Sequence, residues 1–139
     1  MTAIIAQNLK SELAETVLRE ISALMQRLIE TGETGIIDLR SLPLSSWDRQ
    51  QLAGALGEGE VKALVNVGGT STVSETQFSG VWWIRHEGAD GRVAAEQVVV
   101  ARVPEFLLAH PADIGAAQTR LSAILSRSAE AEFGEAGHG

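Results

Sequence analysis

Two adjacent tryptophans inside an alternating run, Val81-Trp82-Trp83-Ile84-Arg85-His86, constrain this chain more than any other stretch. A strand sends successive side chains to opposite faces, so Val81, Trp83 and Arg85 share one face while Trp82, Ile84 and His86 share the other. The two indoles therefore cannot share a surface. Each carries roughly 150–250 Å² of mostly apolar area, and at about 25 cal/mol/Å² leaving one in water forfeits several kcal/mol. With Arg85 and Glu87 taken as marks of a solvated face, Trp82 and Ile84 belong to the core and Trp83 lies on the wetter side.

The rest of the chain supplies support for that strand. From about Asn8 to Thr31 the residues Leu9, Leu13, Val17, Ile21, Leu24 and Leu28 recur at three- and four-residue steps, which predicts a long amphipathic helix stopped by Gly32. The stripe could be a coiled-coil seam, but with a sheet available to cover it reads as one side of a core. Gly35 to Arg40 reads as an edge strand or an extended lead-in ahead of Pro43. Ser45 with Asp48 three residues on forms a capping box for a short helix that carries Leu52 and Leu56 to Gly57. Val61, Ala63, Val65 and Val67 then alternate with Lys62, Leu64 and Asn66 along a strand, and Gly68-Gly69 turns the chain. That glycine pair lacks the lysine and spacing of a phosphate loop.

Thr70 to Phe78 is Thr- and Ser-rich and reads as a half-solvated strand. Ser79-Gly80 is read as a bulge, which makes residues 72–87 one long bent strand; a turn at the same place makes a hairpin instead. Asp90-Gly91 is a strong hairpin signal. In the last strand Val93, Ala95, Val99, Ala101 and Val103 fall on one face, with Glu96 and Arg102 on the other. Pro111 opens a final helix through Ile114, Ala117, Leu121, Ile124 and Leu125 that fades by Arg127. The expected architecture is α+β: an antiparallel sheet of about three to five strands, with a long N-terminal helix, a short second helix and a C-terminal helix packed mainly on one face. Residues 1–127 read as one domain, and the acidic, glycine-rich segment 128–139 reads as disordered.

Composition excludes several chemistries. With no cysteine there is no disulfide, thiolate nucleophile or cysteine-held cluster. His86, His110 and His138 are too dispersed for metal-ligand spacing, so neither a metal nor a cofactor is expected. A net charge of −7 with scattered basic residues argues against nucleic acid. No apolar run approaches the roughly 18 residues of a membrane span, and the opening MTAIIAQNLK lacks the features of a secretory signal, so the expected location is the cytoplasm.

The one candidate acid/base set is Glu75, His86 and Asp90, near the central strand. Glu75 and His86 are an odd number of residues apart, which places them on opposite faces unless Ser79-Gly80 resets the phase. A small-molecule enzyme using Glu75 and His86 thus stays an alternative to a binding role. Trp83 is either a binding anchor or half covered by the aliphatic stem of Arg85.

Five short motifs in order, DLRSLP at 38–43, LGEGEV at 56–61, ET at 75–76, GVWW at 80–83 and VPE at 103–105, resemble the carboxy-terminal region of the HupH or HyaF hydrogenase expression/formation family. The resemblance covers roughly Val17 to Leu125. It implies an accessory role in maturing nickel-iron uptake hydrogenase, acting on the small, iron-sulfur-bearing subunit together with other maturation proteins. A chain without cysteine is a poor carrier of iron-sulfur clusters, which favours a non-catalytic chaperone or scaffold. Trp83, Arg85, Glu75 and His86 are then the candidate partner-binding residues. A structural dimerisation module, seamed along a sheet edge or Trp83, is a further alternative, which makes a homodimer a possible assembly.

Overall fold

A computed structural model describes residues 9–138, with side-chain surroundings through residue 131. The opening eight residues, read above for a secretory signal, lie outside the described residues, as does Gly139. In chain order the elements are helix α1 (Glu12–Thr31), strand β1 (Gly35–Asp38) running into a 3-10 turn (Leu39–Ser41), helix α2 (Ser46–Leu56), strands β2 (Lys62–Asn66), β3 (Gly69–Glu75), β4 (Val81–Gly88) and β5 (Val93–Val100), a second 3-10 turn (Glu105–Leu107) and helix α3 (Pro111–His138). The five strands form one antiparallel sheet in the order β1-β5-β4-β3-β2. This is the α+β architecture that the sequence predicts.

Local chemistry sets the element ends. Ser11 caps α1 by accepting from the Ala14 N–H, and Gly32 ends it in the left-handed conformation. Ser45 and Asp48 close the predicted capping box of α2, each side chain accepting from the other residue's backbone N–H. Asp90-Gly91 turns β4 into β5, with the Gly88 N–H donating to the Arg92 carbonyl at 2.9 Å.

Ser79-Gly80 does not bulge one long strand. Gly80 takes φ +86, and β3 and β4 are the two arms of a hairpin, with Glu75 opposite Trp82 and Ser71 opposite His86. The turn is held by the Thr76 N–H donating to the Val81 carbonyl and the Val81 N–H to Phe78, both bonds that a continuous strand could not form.

The register fixes which side chains share a face. One face carries the cross-strand rows Lys62-Ser74-Trp83-Val98-Ile37 and Leu64-Thr72-Arg85-Glu96. The other carries Ala63-Val73-Ile84-Gln97 and Glu75-Trp82-Val99. The helical layer lies on the first. Ala14, Val17 and Ile21 of α1 and Leu52 and Leu56 of α2 pack with Ile37, Leu39, Val81, Val98 and Val100, and Trp83 joins this cluster partly buried. Trp82, Ile84, Val73 and Val99 are nonetheless buried on the opposite face. Trp82 is therefore a core residue, as expected, and Trp83 is the more exposed of the two, but its face is not simply solvated: the helical core covers it in part. Glu96 is buried as well.

By its contacts the chain falls into two compact units that divide between Pro104 and Glu105, inside the 1–127 span taken as one domain from the sequence. In the second unit α3 continues past Arg127, where the sequence reading ends it, to His138. Alanine and glutamate dominate that segment, and both are good helix formers. Among the described residues no helix is long and apolar enough to cross a membrane.

Candidate functional site

Helix α2 covers only part of its sheet face. Beyond it, toward the Arg85 row, a cleft of about 780 Å³ opens, floored by Thr72, Ser74, Trp83 and Arg85 and walled by Arg49, Gln50 and Ala53 of α2. Lys62 stands at its β2 side and Arg40 and Val93 at its β5 side. Those two strands lie three spacings apart, about 14 Å.

A buried carboxylate organises the inner end. Burying Glu96 is costly unless its charge is matched. The Arg49 guanidinium forms an ion pair with it, and the Trp83 indole N–H donates to its Oε2 at 3.2 Å. One end of the indole thus lies on the apolar core while its polar edge is tied down. Trp83 is thus partly buried against the helical core and tied at its N–H to Glu96.

The remaining charges lean positive. Arg40, Arg49, Lys62 and Arg85 line the cleft against Glu87 and Glu96. Arg85 reaches Glu87 at 3.5 Å, an exposed pair worth little. Arg40 donates to the Val93 carbonyl. Among the described residues neither Arg40 nor Lys62 has a carboxylate partner. A basic recess in a chain of net charge −7 is suited to acidic groups.

Of the four residues singled out from the sequence, Trp83 and Arg85 line this cleft. Glu75 and His86 lie on the opposite face, beside Trp82 and Ser71 respectively. The hairpin does place these two on one face, but four residues of strand rise, about 13 Å, separate their positions. His86 instead shares a 2.5 Å hydrogen bond between its Nδ1 and the Ser71 hydroxyl. Lys62, Arg49 and Glu96 went unrecognised as site residues, since only the hairpin register and the position of α2 bring them together.

Residues 13–128 match the family described as HupH hydrogenase expression protein, C-terminal conserved region. The chain belongs to that family. A hydrogenase expression/formation protein HoxQ of Azotobacter vinelandii is 31% identical over 88 residues, 63% of this chain and 31% of that relative. HupH of Rhizobium leguminosarum bv. viciae is 43% identical over 60 residues, 41% of this chain and 21% of the relative. The chain thus spans about a third or less of the curated relatives' length. The solved structure of the hydrogenase expression protein HupH from Thiobacillus denitrificans superposes with a TM-score of 0.81 at 42% identity, covering 84% of this chain and 98% of that one. The HupH fold here is thus accompanied by substantial sequence identity.

Proposed function

We propose that this HupH-family chain acts in hydrogenase maturation as a non-catalytic chaperone or scaffold, binding the immature small, iron-sulfur subunit of a nickel-iron uptake hydrogenase. The relatives' names as hydrogenase expression/formation proteins support the process. The observation that carries the binding role is the Trp83 cleft: a wide, basic recess with an aromatic floor, in which Glu96 holds Arg49 and the Trp83 N–H. An enzyme built on Glu75 and His86 needs the two within hydrogen-bond reach of one substrate, and they are separated along the strand. The absence of cysteine argues against cluster transfer through this chain.

Co-purification tests the reading. The affinity-tagged chain, expressed in cells making the hydrogenase, is expected to retain the small-subunit precursor before cluster assembly and to release the mature enzyme. Retention of mature hydrogenase alone, or of neither subunit by a chain that melts cooperatively, overturns it.

A further inference from the structure

We propose that the free edge of β2 docks an extended, acidic segment of a partner polypeptide, which joins the sheet as a further strand beside the Trp83 cleft. Strand β2 ends the sheet order. The Val67 N–H donates to the Gly69 carbonyl and the Glu75 N–H to the Val61 carbonyl, so the odd-numbered residues of this stretch face β3. By alternation the backbone N–H and C=O groups of Lys62, Leu64 and Asn66 point outward, offering about six hydrogen-bonding groups to an added strand.

The side chains specify what that strand should carry. Lys62 and Leu64 lie on the cleft face, and Leu64 is 66% exposed although it is a large apolar residue in a strand. Natural sheets often blunt an edge with lysine, but an edge meant only to be blunted has no use for an exposed leucine two residues on. Among the described residues Lys62 has no carboxylate partner, and Arg85 extends the positive surface behind it in the Leu64 row. An incoming side chain directly opposite Lys62 sits about 5 Å away, close enough for an ion pair. The matching segment therefore has a carboxylate opposite Lys62 and an apolar side chain opposite Leu64. A second copy of this chain fits less well: antiparallel self-pairing centred on Leu64 sets Lys62 against Asn66, and the register that sets Lys62 against Glu60 instead puts Leu64 opposite Glu58 and pairs it outside the strand.

This assignment rests on the reading that the cleft binds protein, and its test uses peptides so that it stands apart from the co-purification. The probes are seven-residue synthetic peptides alternating glutamate with valine or leucine, and counterparts with lysine in place of glutamate. Amide hydrogen exchange is followed residue by residue. Acidic peptides are expected to slow exchange at Lys62, Leu64 and Asn66 at least tenfold, leaving Ala63 and Val65 unchanged because those amides already bond β3. Lys62→Glu should weaken the acidic peptides roughly fivefold and favour the lysine series. Leu64→Pro, at an outward-facing edge N–H that the sheet itself does not use, should abolish protection. Three outcomes overturn the proposal: no protection at these amides with millimolar acidic peptide, equal protection by both series, or protection that rises with protein concentration when no peptide is present. The last would assign the edge to a second copy. Loss of small-subunit retention with peptide binding intact would instead sink the proposed partner alone.

Discussion

The Ser11 hydroxyl donates to Asp48 Oδ1 at 2.7 Å, fastening the N-cap of α1 to the third residue of α2. Both residues are buried, and each serves its own helix as well: Ser11 Oγ accepts from the Ala14 N–H, and Asp48 Oδ2 from the Ser45 N–H. Ser11→Ala removes a cap and a buried hydrogen bond together. Denaturant melts are expected to show a loss of about 1–2 kcal/mol with an unchanged slope against denaturant, since the same surface is exposed on unfolding.

The same pair gives the fold an acid limb. Hydrogen bonds from the Ser11 hydroxyl and then the Ser45 backbone N–H hold the Asp48 carboxyl below its ordinary 3.8, outweighing the opposite effect of burial. A carboxyl that binds a proton less readily folded than unfolded contributes stability above the unfolded value, and this is lost as pH falls through 3.8 toward the folded value. Melting temperature should therefore drop below about pH 4 in part through Asp48. In Ser11→Ala that part of the drop should be smaller, because the leading cause of the shift is gone. Identical acid limbs for the two proteins, followed by circular dichroism, would show that the shift has no bearing on stability.

The β2–β3 turn separates two glycines that look interchangeable in sequence. Gly68 sits at φ +63 with nothing within 4 Å of an added Cβ, whereas at Gly69, at φ +148, that atom would lie 2.1 Å from the Glu87 carbonyl oxygen. Gly68→Ala should cost about 1 kcal/mol, the ordinary price of a left-handed alanine. Gly69→Ala cannot be accommodated by rotating a side chain, because the obstacle is backbone of β4. It should cost several times as much, or shift the hairpin register. Amide exchange along β3 distinguishes the two, as a register shift moves the protected positions.

Much of this fold was legible, and the misses share one cause. The amphipathic period of α1, the capping box of α2 and the Asp90-Gly91 turn are local signals, readable because the residues that satisfy them are neighbours in sequence. The turn at Ser79-Gly80 was not, since bulge and hairpin use the same glycine and only the pairing of β3 with β4 decides between them. Alternation alone separates the two tryptophans but does not show that helices cover part of Trp83's face and bury Glu96 there. Val98-Val99-Val100 carried the contrary signal: an unbroken apolar run marks a strand covered on both sides. Of the candidate site, Trp83 and Arg85 were visible as an aromatic beside a cation. Lys62, Arg49 and Glu96 come from other elements and become a site only through the sheet register and the placement of α2.

Trp82 and Trp83 should separate into two kinds of mutant, though not as core and surface. Trp82 is 6% exposed, and its indole N–H donates to the Ala101 carbonyl at 3.0 Å. Trp82→Ala removes a filled volume and orphans that carbonyl, so it should cost about 3–5 kcal/mol and can prevent folding. Trp83 is partly buried against the helical core, and its N–H is one of two groups matching the buried Glu96. Trp83→Ala should then cost about 2 kcal/mol, more than a surface residue and less than Trp82. Trp83→Phe retains most of the apolar contact and deletes only the N–H, which should leave a deficit of about 1 kcal/mol. If that deficit reflects the Glu96 bond, it should vanish in a Glu96→Met background, which has similar bulk but no oxygen to accept from the indole; a double-mutant cycle from denaturant melts measures it. Additive losses would mean that the indole acts on stability through packing alone. Small-subunit retention by Trp83→Phe gives the functional half of the test: if the cleft binds through its aromatic floor, Trp83→Phe retains the precursor and Trp83→Ala, folded at low temperature, does not.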